Sequence, residues 1–190
     1  MIQVLNAMKV RQYLSLTASM LLATASWAEM TDNDPKYRMG LTEATNVVEH
    51  LGNCCPNSFW DGLNPDTELS KYNYKFPLSD GKNLYLVLDS LGAHTFWYRM
   101  ILETDNQFEL VRLAQPRELQ NGGQGISVVS EIFNPTFDPN TNRLVAWDFS
   151  FAGDNMIKFI YEYNHGLVLL EQHEDNVLDG KSEYNRIVKY

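Results

Sequence analysis

Short apolar runs separated by turn formers fill the second half of the chain, and helical spacing is confined to one segment near its start. Leu41, Ala44, Val47, Val48 and Leu51 recur three or four residues apart, and Gly52 stands where a C-terminal cap belongs. This spacing predicts a helix over residues 41 to 51, with His50 alone on it as a solvated or capping residue. From Asn53 to Lys75, Pro56, Asn57, Asp61-Gly62, Asn64-Pro65 and Asn73 break every run. An irregular connection is expected there, with Phe59 and Trp60 plugging the edge of the core. Beyond Phe76 the runs are rich in Tyr, Phe, Val, Ile and Trp. Strands are predicted at Leu84 to Leu88, Phe96 to Leu102, Phe108 to Leu113, Ile126 to Phe133, Leu144 to Phe149, Ile157 to Tyr163, Leu167 to Glu171 and Tyr184 to Val188.

An internal register strengthens the β reading. Sliding the chain by 59 residues lays residues 78 to 113 on 137 to 172 without a gap. Asn83 then meets Asn142, Asp89 meets Asp148, Ile101 meets Ile160, Glu103 meets Glu162 and Leu110 meets Leu169. Each unit reads strand, loop, strand, tight turn, strand. The expected fold is all-β and mainly antiparallel, with one N-terminal α-helix. A small or incomplete β-propeller-like arrangement and a two-sheet sandwich both fit.

The first 28 residues change the compartment. Lys9 and Arg11 precede an apolar stretch from Leu14 to Ala23 that is too short to span a bilayer, and Ser26-Trp27-Ala28 has the small residues a signal peptidase needs. A signal peptide over residues 1 to 28 is expected, with Met8 a more ordinary start for it than Met1. A polar, flexible leader over 29 to 39 and a single β-rich domain over 40 to 190 follow from the same reading. The expected location is periplasmic. The formal charge is −9, and removing Lys9 and Arg11 with the signal makes it −11. Such a surface suits a basic protein and disfavours nucleic acid and anionic membranes, whose phosphates demand positive charge.

Chemistry is sparse. Cys54 and Cys55 are the only cysteines. Their adjacency allows a vicinal disulfide, two buried thiols or a link to another chain, and Pro56 follows where a C-x-x-C redox motif would continue. There is no G-x-S-x-G, S-x-x-K or H-E-x-x-H motif and no phosphate-cradling loop, since Gly122-Gly123-Gln124-Gly125 lacks the following Lys-Ser/Thr. Asp138-Pro139-Asn140-Thr141-Asn142 alternates oxygen ligands but lacks the Gly and distal Glu of a calcium loop, so it reads as a β-turn. His165 and His173, near Glu171, Glu174 and Asp175, read as turn and strand polar residues before they read as a zinc or acid-base cluster. No cofactor, metal or catalytic residue is expected.

The second unit carries a resemblance. Asn134-Pro135-Thr136-Phe137-Asp138-Pro139-Asn140-Thr141-Asn142-Arg143-Leu144, then Ile157 to Tyr163 and Gly166-Leu167-Val168-Leu169-Leu170-Glu171, spell a P-x-F-D turn followed by a G-x-x-L-L-E hairpin. This resembles exported, propeller-like bacterial periplasmic proteins that inhibit lysozyme or protect the cell from peptidoglycan hydrolases. The resemblance implies a non-enzymatic inhibitor or immunity protein that blocks a cell-wall hydrolase or secreted toxin. A structural or accessory role in a cell-envelope assembly is the alternative.

Loops on a rigid β-scaffold are the usual place for recognition. The expected partner-binding residues are Gln120, Asn121, Gly122, Gly123, Gln124, Gly125 and Ser127, in a long loop from Gln115 to Ser127. His94, between the first two strands of the first unit, and Trp97, at the start of the second, join them.

Overall fold

In the computed structural model, the apolar run Leu84-Tyr85-Leu86-Val87-Leu88 is buried at every position in the middle of strand β2 (Asn83–Leu91). The structure describes residues 33–51, 60–92, 95–105, 107–118, 124–149, 155–176 and 186–190. An unbroken apolar run, in place of an alternating one, is what a strand covered on both faces requires. Leu84, Leu86 and Leu88 face one core together with Tyr98 and Met100 of β3 (Phe96–Glu103). Tyr85 and Val87 face a second, smaller core with Ile101.

The remaining strands are β1 (Tyr74–Pro77), β4 (Phe108–Leu110), β5 (Leu113–Glu118), β6 (Gln124–Val129), β7 (Glu131–Asp138), β8 (Arg143–Phe149), β9 (Asn155–Tyr163), β10 (Leu167–Asn176) and β11 (Arg186–Lys189). Nine strands form one sheet in the order β1-β2-β3-β7-β8-β9-β10-β11, with β4 beside the C-terminal half of β3, and β5 and β6 form a separate two-stranded sheet. Every pairing is antiparallel. The fold is thus all-β with one helix and is sandwich-like. Propeller blades would be separate small sheets, and nine of these strands belong to one. Two expected strands are each divided. Phe108 to Leu113 breaks after β4, where the Val111 N–H still reaches the Met100 carbonyl at 2.9 Å before the chain departs, and Ile126 to Phe133 breaks at Ser130.

The large sheet curls around the main core. Four strand spacings separate β2 from β9, roughly 19 Å if the sheet were flat. Yet the Tyr163 hydroxyl at the end of β9 donates to Asp80, in the turn leading into β2, at 2.8 Å. Burial and this carboxylate acceptor push the Tyr163 phenol up to about 12. Phe76 of β1 likewise meets Phe137 of β7 with ring centroids 5.3 Å apart. Gly81 closes the β1–β2 turn at φ 82, a conformation that favours glycine.

At the 59-residue offset, β2, β3 and β4 fall on β8, β9 and the start of β10. The facing does not follow throughout. Inward Met100 maps to inward Phe159, but inward Leu84 and Leu86 map to Arg143 and Val145, outside the core. They reach core residues Leu144 and Ala146 only at an offset of 60. A one-residue slip turns every side chain over, so the Asn83/Asn142 and Asp89/Asp148 matches correspond in sequence and not in facing.

Helix α1 (Leu41–His50) forms where the spacing predicts, burying Ala44 and Val47 against Tyr85, Val87 and Ile101. His50 accepts its capping role, with Nδ1 2.6 Å from the Asn46 carbonyl. Trp60 is buried in the same cluster, whereas Phe59 and Gly52 lie outside the described residues. Residues 1–32, including the expected signal segment, also lie outside them. The expectation of a loose leader up to residue 39 is corrected: Asn33 is buried, its Nδ2 donating to the Pro135 carbonyl at 2.8 Å and its Oδ1 accepting from the Phe137 N–H at 3.0 Å. It serves groups in β7 at the irregularity between Phe133 and Thr136.

Asn73, fully buried just before β1, joins three segments. Its Nδ2 donates to the Gly62 carbonyl at 2.7 Å, its Oδ1 accepts from the Leu88 N–H at 2.9 Å, and its carbonyl accepts from the Met39 N–H at 3.0 Å. Gly62 is required by this closeness, since a Cβ there would lie 2.9 Å from the Leu88 Cβ. Asn73→Ala strands two buried backbone groups and should cost on the order of 3 kcal/mol. Urea unfolding should show the midpoint falling with an unchanged slope; an unchanged midpoint would contradict this role.

Candidate interaction surface

The strand register places Ser90, Trp97, Phe133, Trp147, Lys158, His173 and Ile187 directly opposite one another on successive strands. Opposed residues share a face. Their neighbours Tyr98, Ile132, Ala146 and Phe159 turn into the main core, so this row lies on the outer face. Trp97 and Phe133 are in ring contact, and the Lys158 Nζ stands 5.5 Å from the centroid of Trp147. All three aromatics are half-buried.

A charge network separates this row from the helix-covered part of the face. The Arg99 Nε donates to Asp89 at 2.9 Å and a terminal nitrogen donates to Glu131 at 2.6 Å, while the guanidinium lies 5.3 Å from the centroid of Trp60. Asp89 reaches it because the β2–β3 register shifts between Leu88 and Ser90. A bulge there re-aims the carboxylate toward the arginine.

The ribbon β5–β6 stands beside the aromatic row. Its register pairs Leu113 with Val129, Gln115 with Ser127 and Arg117 with Gly125 on one face, and Ala114 with Val128 and Pro116 with Ile126 on the other. The first face carries Leu113 into the main core and Gln115, also buried, beside Tyr161 of that core. A cleft of about 200 Å³ at the base of the ribbon is lined by Arg117 and Ser127 together with residues of both faces of the sheet, Ile132 and Asp148 as well as Trp97 and Trp147. The second face meets water: Ile126 is 75% exposed and Val128 66%.

Against the sequence expectations, Gln115 to Ser127 is therefore a hairpin and not a long loop, because Gln115 to Glu118 and Gln124 to Ser127 are paired strand. Gln124, Gly125 and Ser127 lie in β6, and Trp97 lies beside the same cleft. Gln120, Asn121, Gly122 and Gly123, and His94, lie outside the described residues, as do Cys54 and Cys55. Sequence reasoning missed Phe133, Trp147, Ile126 and Val128 as surface features. The alternation of Ile126, Ser127 and Val128 was a strand signal, but which side met water depended on pairing that the pattern does not contain.

The other candidate groups stay apart. His173 Nε2 is 2.8 Å from Glu171, which Lys189 also approaches at 3.3 Å; the histidine contact first, then the lysine, holds the Glu171 carboxyl below its usual range. His165 lies in the β9–β10 turn, 3.9 Å from Asp80. Asp138 accepts from the Asn140 N–H and the Thr141 hydroxyl, which makes its segment a capped turn. Among the described residues, no three of His, Cys, Asp and Glu converge as a metal site, and no helix is long and apolar enough to cross a membrane. A second groove, about 300 Å³, runs between Leu84, Leu102, Val111, Arg112, Tyr163 and Leu167.

No family model, curated protein or solved structure matches the chain.

Replacing Arg99 with Met leaves buried Asp89 without its cation. A loss of about 2 to 3 kcal/mol is expected, below the full cost of a deeply buried pair because Glu131 is partly exposed. The near-ultraviolet circular dichroism from Trp60 and Trp97 should weaken at the same time. Unfolding within about 0.5 kcal/mol of the parent, the range of an ordinary surface substitution, would show that the network does not organise this face.

Proposed function

We propose that this chain is a non-enzymatic, periplasmic protein-binding domain that blocks a basic cell-wall hydrolase or secreted toxin. The observation that supports it best is the reversed facing of the ribbon: Ile126 and Val128 point to water while Gln115 and Ser127 point inward. A ribbon whose base is anchored in the core by Leu113 has every reason to turn its β-branched residues inward, and contiguous exposed apolar surface marks an interaction site. The formal charge of −9 favours a basic partner through steering. The P-x-F-D segment, which ends β7 and leads into the β7–β8 turn, and the β9–β10 hairpin are the segments whose resemblance points to hydrolase inhibitors.

Lysis of isolated cell walls by a purified basic lysozyme, with and without the protein, tests the reading. The parent should inhibit, and Ile126→Asp with Val128→Asp should weaken inhibition at least tenfold, about 1.4 kcal/mol, while leaving the far-ultraviolet spectrum unchanged. A parent that inhibits neither this enzyme nor a panel of peptidoglycan hydrolases would contradict the reading. Equal inhibition by the double variant would remove the ribbon from it.

A further inference from the structure

A strand at the rim of a sheet leaves a row of N–H and C=O groups unpaired, and proteins guard such rows with charge, proline, shortness or cover. Most outer strands of this chain are guarded. β1 ends in Pro77 and is met by the segment before helix α1, where Arg38 bridges Tyr74 and the Met39 N–H reaches the Asn73 carbonyl at 3.0 Å. β4 is three residues long with Glu109 at its centre, and β11 is four residues long and bounded by Arg186 and Lys189. On β7, beyond its pairing with β3, the Asn33 amide takes up the Pro135 carbonyl and the Phe137 N–H. β5 carries Pro116 and the exposed Arg117.

β6 has none of these devices. Its residues, Gln124-Gly125-Ile126-Ser127-Val128-Val129, include no charge and no proline, and its register with β5 runs without a bulge. Among the described residues, no strand and no backbone hydrogen bond takes up its other side. An uncharged, proline-free strand rich in β-branched residues is the kind that pairs with another strand. A two-stranded ribbon is marginal by itself, so added strands would stabilise it.

The order of residues in β6 fits a second copy of itself. Antiparallel pairing about a twofold axis at Ser127 sets Ile126 opposite Val128 of the partner subunit, and Val128 opposite Ile126 of the partner subunit, about 5 Å apart on one face. An axis at Ile126 would set Val128 against Gln124 instead, and an axis at Val128 would set Ile126 against Ser130. Because β6 carries no charge, two copies of an acidic chain meet there with the least local repulsion.

We propose that two copies of the chain join through β6, antiparallel about a twofold axis at Ser127, so that two ribbons become one four-stranded sheet. The pairing covers the flanks of Ile126 and Val128 and leaves their outward face open. It neither needs nor excludes the inhibitory role. Six residues of edge pairing bury less than the roughly 1,600 Å² of a standard interface, so the dimer should dissociate with a constant on the order of 100 μM. Well below that concentration each ribbon stands alone.

Sedimentation velocity of the protein by itself, from about 5 μM to about 500 μM, reads the association directly. The average mass should rise from that of one chain toward that of two. Ile126→Lys with Val128→Lys opposes like charges across the axis, as does Ile126→Glu with Val128→Glu, and each double variant alone should stay monomeric at the highest concentration. An equal mixture of the two should form a mixed dimer, because opposite charges then face each other. Both positions are exposed and the anchor at Leu113 is untouched, so far-ultraviolet spectra should match the parent's. A parent that stays monomeric throughout, double variants that associate as the parent does, or a mixture that stays monomeric would each overturn the proposal; the first result would leave β6 to a foreign strand.

Discussion

Burial of β2 and β3 on both faces is the constraint on which the rest of the structure depends. Leu84, Leu86 and Leu88 need cover on one side while Tyr85 and Val87 need it on the other. A single flat sheet cannot supply both. Helix α1 and Trp60 provide the outer cover, and the sheet itself provides the inner one by curling until β9 reaches the turn before β2. Polar groups pin this arrangement where apolar packing alone would leave it loose: Asn73 ties the connection to β2, Asn33 serves β7, and Tyr163 closes on Asp80. Each bond is individually modest, but each would leave a buried or half-buried group unsatisfied if broken.

The surface follows from how far that outer cover extends. Helix α1 reaches Tyr85, Val87 and Ile101, and Arg99 with its two carboxylates marks the limit of the covered region. Past it, Trp97, Phe133 and Trp147 lie half-buried beyond the helix's reach. The ribbon arises because the chain leaves the sheet after β4 and returns at β7, both of which pair with β3 at different ends. Leu113 anchors its base in the core, and its outer face is left to water. The ribbon thereby presents two faces of different character, one apolar and open to water, the other anchored on the core through Leu113 and Gln115.

Much of the fold was legible in the sequence, and the reasons are local. The helix showed in the three-and-four spacing from Leu41 to Leu51, and most strands showed as apolar runs between turns. Facing was harder. Leu84 to Leu88 has no alternation to read, and the internal repeat, correct in strand order, slips by one residue in β8, which matches inward Leu144 and Ala146 to Tyr85 and Val87 of the other face and not to inward Leu84 and Leu86. Asn73 reads in sequence as a turn former like its neighbours; only the convergence of Gly62, Leu88 and Met39 gives it its role. The candidate surface was half legible: Trp97 and Ser127 stood out, but Phe133 and Trp147 join them through pairings between strands far apart in the chain, and the glycine-rich stretch concealed a paired ribbon.

Amide hydrogen exchange on the intact protein tests most directly whether a rigid curled sheet carries a ribbon that stands outside it. Amides of β2, β3, β8 and β9 should exchange only through global unfolding, while protection along β5 and β6 should fall from Leu113 and Val129 toward Glu118 and Gln124, opening at much lower cost. Ribbon amides as strongly protected as those of β2 would contradict the account, because they would show the exposed apolar face to be part of the cooperative core.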